Sequence, residues 1–208
     1  MEHTVNNITV CGSLRELPVF SHENHGKQFY RFMLEIPRLS GAVDILPVIA
    51  PESVMNRIDL SGGQMLCVTG QIRSHNSRSN GMRHLLIFIF ATDIVADNTE
   101  PVNEVVISGF LCKDPIFRRT PLGREICDVI LAVNRRYGRA DYLPCISWGA
   151  IAQQTAMLDV GAPLCLEGRI QSRTYAKTLP SGTCEERTAY EVSVMRPLSP
   201  EELSHDFF

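Results

Sequence analysis

The chain has 208 residues, 44% of them apolar, which is enough for one large domain or two of about 100 residues. It contains no run of about 18 apolar residues, which argues against a membrane-spanning helix, and its first residues lack the basic and apolar segments of a signal peptide. The net charge of −3 divides into −2 for residues 1–102, +2 for residues 103–198 and −3 for residues 199–208. This distribution indicates a local basic groove in the second part, not a basic surface overall.

Seven cysteines are scattered along the chain, and none forms a CxxC pair. Most lie in apolar, strand-like runs, which predicts reduced and buried thiols instead of disulfides or a zinc site. His22 and His25 lie in a predicted hairpin loop without an apparent set of further metal ligands, so we expect them to be exposed. The sequence also lacks the motifs of nucleophilic, paired-carboxylate or phosphate-binding sites. We therefore expect a cytoplasmic protein that is not an enzyme and has no metal or cofactor.

The sequence repeats itself with a period of 97 residues, without a gap from residue 6 to about residue 49. The aligned pairs include Asn6 with Asn103, Gly12 with Gly109, Leu34 with Leu131, Arg38 with Arg135 and Asp44 with Asp141. After one inserted residue, MLCVTGQIRS at 65–74 aligns with PLCLEGRIQS at 163–172. This period is too long for a solenoid and indicates two copies of one domain. The polar stretch ADNTEPV at 96–102 marks the join between them.

Each copy is predicted to form five strands, with one helix between the third and the fourth. In the first copy we expect strands near 7–14, 29–37, 44–50, 65–75 and 84–92, and a helix near 52–58. In the second copy we expect strands near 104–111, 125–134, 142–148, 163–175 and 189–195, and a helix near 150–158. This order is typical of the OB-fold, a small Greek-key barrel, and Gly168 lies where a barrel strand must bend.

The predicted fold class is therefore all-β, with two tandem OB-folds, each a five-stranded Greek-key barrel with one short helix. The predicted domains are residues 1–98 and 103–198, followed by a short acidic tail at 199–208.

One hairpin of the second copy combines cationic and aromatic side chains. Residues 131–148, LAVNRRYGRADYLPCISW, read as two strands around a polar turn that contains Gly138. Single-stranded nucleic acid needs positive charge for its phosphates and flat apolar side chains for its bases. The hairpin is typical of such a binding surface.

Four segments of the second copy together resemble the bacterial single-stranded DNA-binding protein family. They are NEVVISGFLCKDPIFRRTPLGREI at 103–126, LAVNRRY at 131–137, ISWGAIA at 146–152 and LEGRIQSRTY at 166–175. The resemblance covers about residues 103–198, whereas the first copy resembles the family only through the repeat. It implies binding of single-stranded DNA with little sequence preference. Because the family normally works with four OB domains, it also implies a homodimer of this two-domain chain.

The resemblance places base-stacking aromatic side chains at Tyr137, Tyr142, Trp148 and Tyr175. Alternation along the predicted strand puts Tyr142 and Trp148 on the same face, and the pattern alone leaves open whether this face is the barrel interior.

Several cations near the turns of the second copy are candidates for phosphate contacts, although a solvated surface is the alternative for each. They are Arg118, Arg119, Arg136, Arg139, Arg173 and Lys177. Arg135 recurs in the first copy as Arg38, which favours a structural role for both.

The first copy departs from the family at every stacking position. The matching residues are Ser40, Ile45, Pro51 and Ser77. Its Phe29, Tyr30 and Phe32 lie in an apolar strand and are expected to belong to the core. We predict a dimerisation or docking module that binds DNA weakly or not at all, although basic residues between 73 and 84 leave a peripheral DNA contact open.

The chain ends in EELSHDFF directly after Pro200. Family members usually carry a long linker with an acidic tip that ends in Phe and binds replication and repair proteins. The resemblance thus suggests Asp206, Phe207 and Phe208 as a docking segment, and an incidental chain end is the alternative. Without a linker its reach would be short.

The predicted function is sequence-tolerant binding of single-stranded DNA, which would protect it in replication, repair or recombination. The alternative is an OB-fold assembly protein, such as a replisome or primosome adaptor, with little DNA binding. The complete aromatic set of the second copy favours the first interpretation. RNA binding also stays open, because stacking does not read the 2′-hydroxyl group.

Overall fold

A computed structural model describes residues 4–79, 82–97, 100–178, 182–199 and 202–203. The first copy consists of β1 (Asn6–Leu14), β2 (Val19–Asn24), β3 (Lys27–Pro37), β4 (Val43–Pro51), α1 (Glu52–Met55), β5 (Met65–Ser79) and β6 (Met82–Ala96). The second consists of β7 (Val102–Leu111), β8 (Ile116–Arg119), β9 (Glu125–Asn134), β10 (Ala140–Trp148), α2 (Gly149–Thr155), β11 (Pro163–Thr178) and β12 (Cys184–Pro197). The all-β, tandem OB-fold prediction is confirmed.

The five predicted strands of each copy are present, and each copy has one further strand that the sequence did not reveal. These are β2 and β8, which pair with β3 and β9 at the outer edge of each barrel. Their side chains are mostly exposed, so VFSHEN and IFRR show no alternation of apolar and polar residues. An edge strand that buries little apolar surface leaves no period-two pattern to detect.

Each barrel closes around its own apolar interior. In the first barrel β1 pairs with the end of β3 and β4 pairs in parallel with β6, and in the second β7 pairs with β9 and β10 with β12. The interior is filled by alternate residues of these strands, such as Leu34, Val48 and Ile72 in the first barrel, all fully buried. The opposite faces of the same strands point away from the barrel interiors.

The two barrels join through antiparallel pairing of β1 with β7, which links the strands into one twelve-stranded sheet in the described part of the chain. Ile8 lies directly opposite Val105, its equivalent in the repeat. A pseudo-twofold axis therefore passes through this pair. It also relates two matching contacts: Asn6 bonds with the backbone of Ile72, and Asn103 bonds with that of Ile170.

Equivalent glycines bend the longest hairpin of each barrel. The strand register shifts between Thr69 and Gly70 and between Glu167 and Gly168. A Cβ atom on Gly70 would lie 2.1 Å from the carbonyl oxygen of Phe90, and one on Gly168 would lie 2.3 Å from that of Ser193. Only glycine fits this close approach, so the predicted bend at Gly168 is confirmed.

The prediction that every cysteine is a reduced thiol is wrong for Cys11 and Cys67, which form a disulfide. Each of them lies in an apolar strand, as expected, but the register of β1 and β5 places them directly opposite each other. Their Cα atoms are 4.1 Å apart. Sequence spacing does not reveal such a pairing because the two residues are 56 positions apart. The inference of a reducing compartment from the cysteines loses its support.

Two of the other cysteines match the prediction of buried thiols. Cys127 and Cys145 lie inside the second barrel, and burial raises the pKa of both thiols.

Within the described ranges, no helix has the length and apolar character to cross a bilayer. Those ranges also contain no group of three or more metal-ligating side chains.

Candidate nucleic-acid interface

Strand β10 carries two of the predicted stacking residues on its outward face. The side chains of Leu143 and Cys145 point into the barrel and are buried, while those of Tyr142 and Trp148 are 43% and 37% exposed. The sequence left the direction of this face open, and the structure turns it outward. The backbone N–H of Tyr142 donates to Ser74 Oγ of the first barrel at 2.8 Å, which fixes the strand at the junction of the two barrels.

Tyr137 lies in a short 3-10 turn, Arg136–Gly138, between β9 and β10. Its side chain is 96% exposed, and its backbone adopts the left-handed conformation with φ of 64°. A bulky residue rarely adopts this conformation, and such outliers occur most often at functional sites. Arg136 and Arg139 flank it and are also exposed, and neither forms an ion pair with any described residue. The turn presents one aromatic ring between two accessible guanidinium groups.

Tyr175 lies on β11, and its side chain is 37% exposed. The guanidinium of Arg173 lies 5.5 Å from the centre of its ring, a cation–π contact. Lys177 follows on the same face two residues later, and its side chain is exposed.

A single outward face connects β10 with β11 through β12, which lies between them. The Trp148 indole N–H donates to Ser193 Oγ at 3.2 Å. Ser193 pairs with Arg169 of β11, and residues 171, 173 and 175 follow on the same side. Tyr142, Trp148 and Tyr175 therefore share one face of the second barrel, with Tyr137 at its edge.

Arg118 and Arg119 form ion pairs with carboxylates of β9. Arg118 Nε donates to Asp128 at 2.6 Å, and Arg119 donates to Glu125 at 2.8 Å. The hydrogen bond to Asp128 raises the pKa of Arg118. Hydrogen bonds from the side chains of Gln153 and then Arg119 lower the pKa of Glu125. These two arginines would have to exchange a carboxylate for a phosphate, whereas Arg136 and Arg139 need no such exchange.

Arg135 and Arg38 have the structural role that their recurrence favoured. Arg135 pairs with the fully buried carboxylate of Asp141 and donates to the backbone carbonyl of Ser74 in the other barrel at 3.2 Å. Arg38 pairs with Asp44 and donates to the carbonyl of Ser172 at 3.1 Å. The hydrogen bond to Asp44 raises the pKa of Arg38. The two clusters are related by the pseudo-twofold axis and fasten the barrels together.

The first barrel carries an aromatic groove that the sequence did not predict. The expectation that Phe29 and Tyr30 belong to the core is wrong, because both are only half-buried, although Phe32 is buried as expected. Phe29 pairs with Pro51 on the outward face and lies near Phe90, with ring centres 6.1 Å apart. In the sequence, LLIFIF at 85–90 was the only indication of this groove. Because all six residues are apolar, the sequence did not show that the isoleucines face inward and the phenylalanines outward.

His22 is exposed, as predicted, and stacks on Phe29 with ring centres 4.8 Å apart and planes 8° apart. His25 is exposed as well.

Known proteins resemble both the sequence of the second barrel and the fold of the whole chain. The sequence model described as the single-strand binding protein family matches residues 102–197. Single-stranded DNA-binding protein B of Bacillus subtilis is 39% identical over 80 residues, which are 35% of this chain and 71% of that protein. The chain belongs to the single-strand binding protein family.

The curated relatives are matched over part of their length. The single-stranded DNA-binding protein of Clostridium tetani is 38% identical over 81 residues, which are 36% of this chain and 56% of that protein. The chain thus spans about half the length of several of these relatives. The wild-type single-stranded DNA binding protein of Thermus aquaticus matches the whole fold, with a TM-score of 0.76 and 21% identity over 95% of this chain and 93% of its own. A deletion mutant of that protein gives 0.77 over 96% of each chain.

Asp206, Phe207 and Phe208 of the predicted docking segment lie outside the described residues.

Proposed function

We propose that this chain binds single-stranded DNA on the outward face of its second barrel, with little preference for sequence. Tyr137, Tyr142, Trp148 and Tyr175 stack against bases. The phosphates are contacted by Arg136, Arg139, Arg173 and Lys177. Arg118 and Arg119 contribute less, because both already form ion pairs with carboxylates. Each stacked base contributes roughly 1–3 kcal/mol.

The observation that carries this proposal is that four aromatic side chains are exposed together with cations that form no ion pair with any described residue. A tyrosine or tryptophan that is exposed on a barrel face contributes little to the core. Several such rings on one face therefore indicate a binding surface. Accessible cations beside these rings match the alternation of phosphate and base along a single strand. Membership of the family supports the same function. The proposal includes no catalytic step.

The assembly and the cellular role belong to the same proposal. Two chains form a homodimer that supplies four OB domains, with the first barrel contributing to assembly, and the protein acts in the cytoplasm in replication, repair or recombination. The acidic tail with Asp206, Phe207 and Phe208 docks other replication or repair proteins. Light scattering coupled to size exclusion checks the assembly, for which a mass of twice 23.3 kDa is expected. A monomer at micromolar concentration would contradict it.

Titration of the intrinsic fluorescence with oligo-dT at two salt concentrations tests the DNA-binding site. Trp148 is the only tryptophan, so strong quenching reports directly on one stacking position. Binding should weaken steeply with salt, because neutralised phosphates release counterions. If the fluorescence does not change and no complex forms at low salt, the proposal fails and an assembly role for both barrels becomes the better explanation.

A matched pair of variants localises the site by using the repeat. Trp148→Ala should weaken binding of fluorescently labelled oligo-dT by roughly 1–3 kcal/mol. Ser40→Ala changes an exposed position of the first barrel, the equivalent of Tyr137, that lies outside the aromatic groove, and it should leave binding unchanged. Equal affinities of the two variants would place the bases elsewhere.

A further inference from the structure

A groove with a volume of about 500 Å³ opens on the outward face of the first barrel. Its apolar part is formed by Phe29 of β3 and by Phe88 and Phe90 of β6, all half-buried. Its rim is formed by cationic or titratable side chains, including Arg73 and Arg135. The proposed site on the second barrel uses none of the three phenylalanines.

The rings of the groove leave space for a further flat group. Phe29 and Phe90 are tilted by 46° with centres 6.1 Å apart, so they diverge instead of covering each other. His22 already stacks on Phe29 with nearly parallel planes. Half-exposed rings of this kind favour a planar apolar partner such as a nucleobase.

The charge of the groove favours an anion. Arg73 lies 6.0 Å from the centre of the Phe90 ring and donates to Asp141 at 3.1 Å, and Arg135 pairs with the same carboxylate. Two guanidinium groups therefore share one buried carboxylate, which leaves a surplus of one positive charge. Both arginines are partly exposed, with 21% and 25% of their side-chain surface accessible. A phosphate near them would face the unneutralised charge.

The groove is continuous with the proposed site of the second barrel. Arg135 belongs to the second barrel, and it lines the groove and directly precedes the turn that carries Arg136 and Tyr137. Arg135 thus connects the groove with the turn of the second barrel along the chain. The described residues of the second barrel do not repeat the phenylalanine pair of the groove, because Glu191 and Ser193 stand in place of Phe88 and Phe90.

We propose that this groove of the first barrel holds bases of the same single strand that the second barrel binds. Phe29, Phe88 and Phe90 supply the stacking surfaces, and Arg73 and Arg135 supply the charge. This inference rests on the proposed function and extends it to a second stacking site on one chain. It also replaces the expectation that the first barrel binds DNA weakly or not at all.

A reporter in the groove tests the proposal directly. In the full chain, Phe88→Trp combined with Trp148→Phe moves the only tryptophan from the second barrel to the groove. Titration with oligo-dT of about 30 nucleotides, long enough for two OB-folds, should quench this fluorescence. No quenching of the reporter, while Trp148 of the wild type is quenched, would overturn the groove and leave the proposed function intact. If only the reporter is quenched, DNA binding in the groove is supported and the proposed site on the second barrel is contradicted.

A truncation series provides the second measurement. Phe88→Ala with Phe90→Ala should weaken binding of the oligo-dT of about 30 nucleotides roughly tenfold, the low part of the range for one stacked base, and should leave an oligonucleotide of about 8 nucleotides unaffected. Phe20→Ala is the matched control, because Phe20 is an exposed phenylalanine of the same barrel outside the groove. Unchanged affinity for the longer oligonucleotide would contradict the proposal. If the peptide EELSHDFF quenches the reporter and oligo-dT does not, the groove binds an acidic peptide and the proposal of DNA binding is wrong.

Discussion

The two barrels share a fold but display their aromatic side chains in complementary places. Where the second barrel exposes Tyr142, Trp148 and Tyr175, the first has Ile45, Pro51 and Ser77. Where the first barrel has the half-buried Phe88 and Phe90 on the outward face of its last strand, the second has Glu191 and Ser193. Apart from buried polar residues such as Asp44, Asp141 and Ser147, the inward-facing positions of both barrels are apolar. The two copies therefore show that aromatic residues can occupy different strands on the outward face of an OB-fold while the core is kept.

The junction between the barrels differs in charge, although its geometry repeats. Asp44 and Asp141 are both buried, with 1% and 0% of their side chains exposed. Asp44 receives the guanidinium of Arg38 and the backbone and hydroxyl of Ser172. Asp141 receives the backbone N–H of Ser74 and two guanidinium groups, because Arg73 occupies the position at which the second barrel has Gln171. This single difference gives the groove of the first barrel its positive charge.

The largest expected effect comes from neutralising the carboxylate that holds two arginines. Asp141→Asn should lower the free energy of unfolding by about 3–5 kcal/mol, because it leaves partly buried guanidinium groups without a counter-charge. Asp44→Asn is the matched control and should cost less, because only one guanidinium loses its partner. Urea unfolding followed by circular dichroism measures both. Equal losses would show that the second guanidinium at Asp141 is solvated well enough to need no partner.

The next effect concerns the disulfide of the first barrel, which has no counterpart among the described residues of the second. At the equivalent position of the second barrel Cys165 faces Ser108, whose hydroxyl oxygen accepts the backbone N–H of Val5 at 2.8 Å. Replacing both Cys11 and Cys67 with Ser should cost about 3 kcal/mol of unfolding free energy, a typical value for a native disulfide.

Hydrogen exchange provides the readout for this disulfide, because the loss of protection should be concentrated in β1 and β5. Cys165→Ser serves as the control and should leave these strands unchanged. If the wild type unfolds at the same urea concentration with and without reductant, the disulfide does not contribute to stability.

The sequence predicted most of the framework because the repeat and the strand pattern are carried by buried residues. The bend at Gly168, the burial of Phe32 and the structural role of Arg135 follow from residues that recur or alternate. Phe29 was misassigned because an apolar residue on a strand gives no sign of which face is inward when both faces are partly apolar. The disulfide depends on strand register, which a single sequence does not fix.

The sequence predicted which residue types make up the candidate site, but not which of their side chains are accessible. The aromatic positions of the second copy were recognisable, and the structure shows that their rings are exposed. Whether a given arginine is accessible depends on its neighbours across the sheet. The ion pairs of Arg118 and Arg119 arise because β8 lies beside β9, and β8 itself left no pattern in the sequence.

The smallest expected effect distinguishes two kinds of arginine within the second barrel. Arg136 has no carboxylate partner among the described residues, whereas Arg118 is bound to Asp128. Arg136→Ala should reduce the slope of log K against log salt by about 0.7, the value for one phosphate contact with a single strand. Arg118→Ala should change the slope by less than half of this, because its charge is already compensated. Titration with labelled oligo-dT at four or more salt concentrations separates the two slopes. A larger change for Arg118→Ala would mean that Arg118 leaves Asp128 when DNA binds, and that ion pairs in the free protein do not predict which cations contact the phosphates.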